Sequence, residues 1–150
     1  MAILCINLSR VEASNSRIEK FSGELTVNST PLIKSIEEIG IEKIGISNAL
    51  TADFEFTTMY EPKLGQIKLW GEVIFTDINS KKIADDWKKT KKVPNEVGVP
   101  LLNAIFRKCL GKSIVIAEDP QLPPPVVFPT VIPTDMIKDA REKEGKDKKK

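Results

Sequence analysis

Two pairs of adjacent carboxylates are the residues whose type and spacing come closest to a chemical site in this sequence. Asp85 and Asp86 lie in a lysine-rich stretch, and Glu118 and Asp119 precede a run of prolines. A calcium site needs about six to eight oxygen ligands, and general acid–base catalysis most often uses histidine, which the chain lacks. Neither pair has a third acid beside it, so we interpret both as solvated surface and predict no metal ligand.

The letters GKS at residues 111–113 match the end of a phosphate-binding loop. Such a loop also needs a glycine upstream and a strand before it. Phe106 and Arg107 stand where that glycine would be, and the residues before them have helical spacing. The sequence has no serine-hydrolase, zinc-protease or dinucleotide-binding motif either. It therefore predicts no catalytic residue and no cofactor, and we expect a protein that works by binding and is not an enzyme.

The two cysteines, Cys5 and Cys109, are far apart in the sequence, and each has apolar neighbours. We predict two buried free thiols, because such cysteines behave as small apolar residues. No run of about 18 apolar residues occurs, so no membrane span is predicted. The first ten residues lack the basic start and the small-residue cleavage site of a secretion signal. We interpret them as a first strand and expect a cytoplasmic protein.

The charge balance divides the chain into two parts. Of the 23 Lys/Arg and 21 Asp/Glu residues, seven and five lie in residues 134–150, which leaves residues 1–133 with sixteen of each. A neutral segment of this length, in a chain that is 41% hydrophobic, fits one globular domain. We predict a single domain over residues 1–133 and a disordered, lysine-rich tail over residues 134–150.

Residues 53–75, DFEFTTMYEPKLGQIKLWGEVIF, predict two strands joined by a short turn. Apolar and polar residues alternate in both strands, as in a sheet that buries one face. In the turn, Pro62 fixes φ and Gly65 is expected to supply a positive φ. Trp70 falls on the face opposite the apolar residues, which predicts either burial against a helix or another subunit, or an exposed binding platform. Lys68 is the one cation expected beside it, so the stacking of RNA bases on Trp70 has little support.

The residues before this hairpin predict further strands. Leu4, Ile6 and Leu8 alternate, and the apolar parity changes after them, which indicates a bulge near Ser9 or Arg10. A second strand contains Pro31. Because proline cannot donate to a ladder, Pro31 indicates an edge strand or an interruption.

Residues 33–47 combine isoleucines at near-helical spacing with two glycines, and we interpret them as a connector. The residues after the hairpin predict two helices. The first is capped by Asn79 or Ser80, has an apolar seam through Ile83 and Trp87, and ends at Pro94. The second begins near Asn95 and carries a wide apolar stripe, with Pro100 in its first turn or at a kink. The members of the stripe are Val97, Leu101, Leu102, Ile105, Phe106, Cys109, Leu110 and Ile114. Strands followed by helices indicate an α+β fold, with an antiparallel sheet covered on one face by helices.

The stretch EDPQLPPPVVFPTVIP, residues 118–133, combines prolines with apolar residues and predicts an extended path out of the second helix. A polar linker would not need these apolar residues, so two interpretations stay open. The segment either packs across the protein or lines an apolar groove or subunit seam. The residues concerned are Leu122, Val126, Val127, Phe128, Val131 and Ile132.

Three stretches together resemble the SecB-like chaperone family. They are INLSRVEASNSRI near the start, the hairpin of residues 53–75, and LLNAIFRKCLGKSIVIAEDPQLPPPVVF. In the last stretch the resemblance rests on Phe106, Arg107 and Cys109, followed by the leucine-and-proline run Leu122–Pro125. The pattern covers about residues 3–130.

This resemblance implies a four-stranded antiparallel sheet packed on helices, and assembly into a dimer or tetramer through the strands and the long helix. It also implies a holdase, a chaperone that binds unfolded or nascent polypeptides in apolar grooves without ATP. The groove residues implied for this chain are Phe54, Phe56, Trp70, Leu122, Val126 and Phe128. The near-neutral charge departs from the acidic export chaperones of the family, so an export motor is less expected as a partner.

Charge alone leaves a second interpretation open. The cluster KKTKK at residues 88–92 and the final lysines favour ribosomal RNA or another anionic partner. The lysines concerned are Lys88, Lys89, Lys91, Lys92, Lys148, Lys149 and Lys150. The same cluster is also typical of a solvated helix end, where lysines interact favourably with the helix dipole. A structural subunit of a larger assembly is the third interpretation.

Overall fold

The computed structural model describes residues 1–16, 24–41 and 45–127. The elements in chain order are β1 (Ala2–Asn15), β2 (Thr26–Ile41), β3 (Ile46–Glu61), β4 (Gly65–Thr76), α1 (Ser80–Thr90) and α2 (Asn95–Ile116). The strands form one antiparallel sheet in the order β1-β4-β3-β2, and both helices pack on the same face of it. The predicted α+β class is confirmed. The domain boundary at residue 133 and the tail lie outside the described residues and stay predictions.

Strict alternation in β3 and β4 divides the sheet into a helix-covered face and an uncovered face. Phe54 lies opposite Gly71 and Phe56 opposite Leu69, and all four residues are buried under the helices. The intervening residues, such as Glu55, point to the uncovered face because successive side chains of a strand alternate. The predicted hairpin and its core face are therefore confirmed.

The first strand contains the predicted bulge and a second one. The pairing of β1 with β4 shifts between Leu8 and Arg10, as expected from the change in parity, and also between Ile3 and Cys5. Each extra residue reverses the direction of the side chains that follow it. As a result Ile3 packs against the core, and Leu4 is exposed on the bulge. The expectation that Leu4 shares a face with Leu8 is wrong for this reason.

Within the stretch interpreted as a connector, residues 33–41 form the second half of the edge strand β2, and residues 46–47 begin β3, so that interpretation is wrong for these residues. The pairing of β2 with β3 shifts between Ile33 and Ser35, so Ile33 lies opposite Phe54 and Ile36 lies opposite Ala52. Both isoleucines therefore face the helices although they are three positions apart. The near-helical spacing in the sequence is produced by this bulge. Pro31 lies inside β2 without interrupting it, and its place on an edge strand is confirmed.

The turn between β3 and β4 places its positive φ at Lys63, which has a φ of 47°. The prediction that Gly65 would supply it is wrong. Gly65 is needed because the neighbouring strand β1 pairs closely with it, and an added Cβ would collide with the carbonyl oxygen of Ser14. The turn is closed by a hydrogen bond from the Leu64 amide to the Tyr60 carbonyl.

Helix α1 buries the predicted seam of Ile83 and Trp87. Its N-cap residue is Asn79, as predicted, but the Asn79 side chain makes no capping hydrogen bond. The helix ends at Thr90, where Lys91 adopts a left-handed conformation. Pro94, expected to end α1, is the N-cap residue of α2. Helix α2 continues through Pro100 as one helix of 22 residues.

Candidate polypeptide-binding surface

Three of the residues implied by the resemblance lie in the core and not on an open surface. Phe54 and Phe56 are fully buried between the sheet and the helices, and Leu122 is buried at the end of the sheet. The ring of Phe56 packs edge to face with the ring of Phe106, with 5.6 Å between ring centroids. Contact of these residues with a client stays a prediction, and it would require the helices to move away from the sheet.

Trp70 lies half-buried on the uncovered face of the sheet, so burial against a helix of the same chain is wrong. Strand pairing places Arg10 on one side of it and Glu55 on the other. The Arg10 guanidinium lies 4.8 Å from the centroid of the indole ring. Lys68 and Lys34 are both near Glu55, with Nζ atoms 3.9 Å and 3.1 Å from its carboxylate oxygens. Lys68 is therefore one of several cations around Trp70, and Arg10 is the nearest.

The uncovered face carries both signs of charge. A hydrogen bond from Lys34 lowers the pKa of the Glu55 carboxyl, and burial opposes this shift. The positive charges of Lys34 and Lys68 and a hydrogen bond from Trp70 also lower the pKa. Further carboxylates share this face according to the strand pairing, namely Glu12, Asp53 and Glu72. Such a mixture of charges does not attract a polyanion. Base stacking on Trp70 therefore gains no electrostatic support.

An apolar groove of about 300 Å³ opens between the edge of β2 and the connection from α1 to α2. Its lining residues are Pro31, Leu32, Ile33, Trp87, Lys91, Val93, Asn95, Gly98, Val99 and Leu102. Val99 is 54% exposed, so a large apolar side chain stands at its rim on the helix side. Leu32 pairs with Glu55, so its side chain belongs to the uncovered face of the sheet. The groove brings together two distant parts of the chain, and no motif in the sequence indicates this pairing.

Helix α2 presents apolar residues on more than the face that packs on the sheet. Beyond the buried row, Leu102, Phe106, Leu110 and Ile114 are only half-buried, and Val115 is exposed. A helix that is apolar on most of its circumference is usually buried on most of it. Phe106 and Leu110 pack partly against the core, so only the remaining, accessible part of this outer stripe is apolar surface that the core of one chain does not use.

The exit from α2 is tied to the end of the sheet. The Tyr60 hydroxyl donates a hydrogen bond of 2.6 Å to the Pro123 carbonyl, and the Asn15 side-chain amide donates one of 2.7 Å to the Pro120 carbonyl. Beyond this point the burial decreases, since Val126 is half-buried and Val127 is 99% exposed. The first part of the exit packs on the protein. The other apolar residues of this stretch, Phe128, Val131 and Ile132, lie outside the described residues.

Both cysteines are free thiols, as predicted. Cys109 is fully buried, whereas Cys5 is half-buried on an edge strand, so the prediction of burial holds for Cys109 alone. Burial raises the pKa of the Cys109 thiol to about 12, although Lys108 opposes the shift. A thiol that stays protonated is a poor nucleophile. Within the described ranges, no group of three metal-ligating side chains occurs.

The chain has no significant match among protein-family models or among curated proteins. Among solved structures it is similar to the Rv1957 SecB-like chaperone of Mycobacterium tuberculosis, in complex with a ChAD peptide from the Rv1956 HigA1 antitoxin. The match covers 87% of this chain and 88% of that chain, with a TM-score of 0.53 and 11% sequence identity. At this identity the likeness concerns the fold, and it confirms the SecB-like sheet and helices expected from the resemblance.

Neither helix in the part of the chain that the structure describes has the length and hydropathy needed to cross a lipid bilayer.

Proposed function

We propose that this chain is a SecB-like, ATP-independent molecular chaperone that holds apolar segments of unfolded or nascent polypeptides in the cytoplasm. The observation that carries the proposal is the apolar groove between β2 and the α1–α2 connection, which is open and lined by large apolar side chains. The fold likeness supports it, since the similar mycobacterial protein is a chaperone in complex with a peptide.

Binding in such a groove needs little sequence specificity. Burial of apolar surface stabilises a complex by about 25 cal/mol per Å², and any extended segment with a suitable apolar side chain provides that surface. Only part of this gain appears as affinity, because the bound segment loses conformational freedom. Weak, broad recognition of this kind suits a holdase, which must release its clients for folding.

The proposal includes self-association. Strand β1 is an edge strand whose exposed side chains include Leu4 and Val11, and its sequence contains no proline. Beyond the two bulges, residues 10–15 of β1 pair regularly with β4, and a regular edge of this kind can pair with another chain. The outer stripe of α2 offers a second apolar surface. A dimer or tetramer built through β1 and α2 would cover both surfaces and leave the groove at the opposite edge, β2, open to clients.

Suppression of aggregation tests the proposed function. The protein is mixed without ATP with a client that unfolds on heating, and light scattering is recorded over time. Val99→Asn, which adds a polar group at the groove, is expected to weaken suppression. Ile78→Asn is the control, because Ile78 is 89% exposed and belongs neither to the groove lining nor to the outer stripe of α2. No suppression by the unmodified protein, or equal effects of the two variants, would refute the proposed site.

RNA binding is a second candidate function, favoured by the lysines of residues 88–92. None of Lys88, Lys89, Lys91 and Lys92 forms an ion pair within the described ranges. Binding of labelled ribosomal RNA should then fall steeply as salt rises, whereas apolar client binding should not. Deletion of residues 134–150, which removes Lys148, Lys149 and Lys150, is expected to weaken RNA binding and to leave client binding unchanged.

A further inference from the structure

We propose that the groove between β2 and the α1–α2 connection selects extended segments in which an acidic residue adjoins an apolar side chain. This inference rests on the proposed function and specifies its substrate class. The apolar lining accepts the side chain, and Lys91 at the rim receives the carboxylate. Among the described residues that line the groove, Lys91 is the only charged one, so a neighbouring carboxylate meets a cation without a competing acid in the groove.

The local structure holds the Lys91 ammonium in place. Lys91 follows the last turn of α1 in a left-handed conformation with a φ of 56°, and its amide donates to the Trp87 carbonyl at 2.9 Å. Its Nζ lies 5.7 Å from the centroid of the Trp87 ring. Trp87 is itself part of the groove lining. The cation–π contact therefore keeps the charge beside the apolar surface that a client would occupy.

The neighbouring lysines add positive potential at this end of α1. Lys88, Lys89 and Lys92 are exposed, and within the described ranges they form no ion pairs. The acids closest in sequence, Asp86 and Glu96, line a different cavity and are absent from the lining of the groove. The rim of the groove therefore has uncompensated positive charge, which is complementary to an acidic segment.

A second copy of this chain is a less suitable occupant than a flexible segment. Pro31 removes one amide donor at the middle of the β2 edge, and the bulge between Ile33 and Ser35 follows closely. Both features disrupt the regular row of donors and acceptors that a paired strand requires. The groove is therefore expected to bind through an inserted side chain, and the adjacent charge decides which segments bind.

Labelled peptides of equal length test the inference. One combines leucine and phenylalanine with flanking glutamates, the second replaces the glutamates with lysines, and the third replaces the apolar residues with serines. Fluorescence anisotropy gives the affinity of the whole protein for each peptide. We expect the apolar–acidic peptide to bind about threefold to tenfold more tightly than the apolar–basic peptide, and the serine peptide to bind weakly or not at all.

Two double variants test whether the preference for acidic peptides arises at this rim. Lys91→Asn with Lys92→Gln should remove most of the preference for acid, since asparagine tolerates the left-handed conformation of residue 91. Lys81→Gln with Lys82→Gln removes the same charge from the start of α1 and should leave the preference intact. In the Trp70→Phe background, bound peptide should also change the emission of Trp87.

The outcomes separate this inference from the proposed function. If both apolar peptides bind equally, the acid selectivity is refuted and the holdase proposal stands. If neither apolar peptide binds, the acid selectivity and the holdase proposal are both refuted. Binding of the serine peptide as tight as that of the apolar–acidic peptide would show a general anion site, as RNA binding would need, and would refute the inference.

Discussion

The Arg10 guanidinium lies over the indole ring of Trp70 on the face of the sheet that the helices leave uncovered, 4.8 Å from the ring centroid. The bulge between Leu8 and Arg10 creates this contact, because it turns Arg10 toward the face on which Trp70 lies. The bulge is also held by a hydrogen bond from the Ser9 hydroxyl to the Trp70 carbonyl at 3.2 Å. The tryptophan thus anchors an irregular edge strand to its neighbour.

Arg10→Ala is therefore expected to lower the free energy of unfolding by about 0.5–1 kcal/mol, the usual size of a cation–π contact at an exposed site. Urea unfolding followed by circular dichroism measures it. Arg10→Lys should retain part of the contact. If Arg10→Ala leaves stability unchanged but weakens client binding, Trp70 is a binding platform and not an anchor of β1.

Two glycines are expected to respond to alanine in opposite directions. At Gly71 an added Cβ would collide with the Asn7 carbonyl oxygen and approach the Phe54 ring to 2.9 Å, so Gly71→Ala should destabilise the protein by about 1–3 kcal/mol. Gly111, in helix α2, has no atom within 4 Å of such a Cβ, and Gly111→Ala should stabilise the protein by about 0.5–1 kcal/mol.

Thermal and urea unfolding of both variants measure the difference. Comparison of Gly111→Ala with the unmodified protein also tests the position of residue 111 in helix α2. A Gly111→Ala variant of unchanged or reduced stability would contradict the position of residue 111 in an open part of α2.

The sequence predicted the sheet well where one face is buried, because the alternation of Phe54, Phe56 and Tyr60 is a direct consequence of the pleat. The change in parity after Leu8 also predicted the bulge before Arg10, but the sequence reading failed at the bulge of β2, where an extra residue changes the period. The spacing of Ile33 and Ile36 looks helical only because one extra residue lies between them in a strand. Periodicity cannot distinguish these two origins of a three-residue interval.

The candidate site was less predictable than the fold. Alternating aromatic residues look the same in sequence whether helices cover them or a client does, and the structure places Phe54 and Phe56 under α2. The groove was not predictable from the sequence, because lining residues such as Leu32 and Val99 are far apart in the chain and neither belongs to a recognisable motif. The lysines next to it were recognised as a cluster, but their proximity to apolar surface depends on how α1 packs beside β2.

Alkaline pH is expected to destabilise the protein through Cys109. A thiol in the unfolded chain has a pKa near 9.0, whereas burial raises the pKa of Cys109 to about 12 in the folded protein. Between these values the unfolded chain releases the proton and the folded chain keeps it, so the free energy of unfolding falls as pH rises. Burial also raises the pKa of Tyr60, which acts in the same direction.

Urea unfolding at several pH values above neutrality measures this slope. Cys109→Ala should reduce the slope, and Cys5→Ala, which changes a half-buried thiol, is the control variant. In the native protein, Cys5 should also react with a thiol reagent much faster than Cys109. Equal reaction rates would contradict the burial of Cys109.

The two edges of the sheet are expected to have different roles, which two substitutions can separate. Val11 on β1 and Val99 beside the edge of β2 are 48% and 54% exposed, and a lysine on an edge strand hinders pairing with another chain. Val11→Lys should therefore reduce the native mass of the proposed oligomer and leave peptide binding by the remaining subunits intact. Val99→Asn should weaken peptide binding at the groove and leave the native mass unchanged. Native mass spectrometry and peptide anisotropy measure the two effects, and loss of mass in Val99→Asn but not in Val11→Lys would reverse the assignment of the edges.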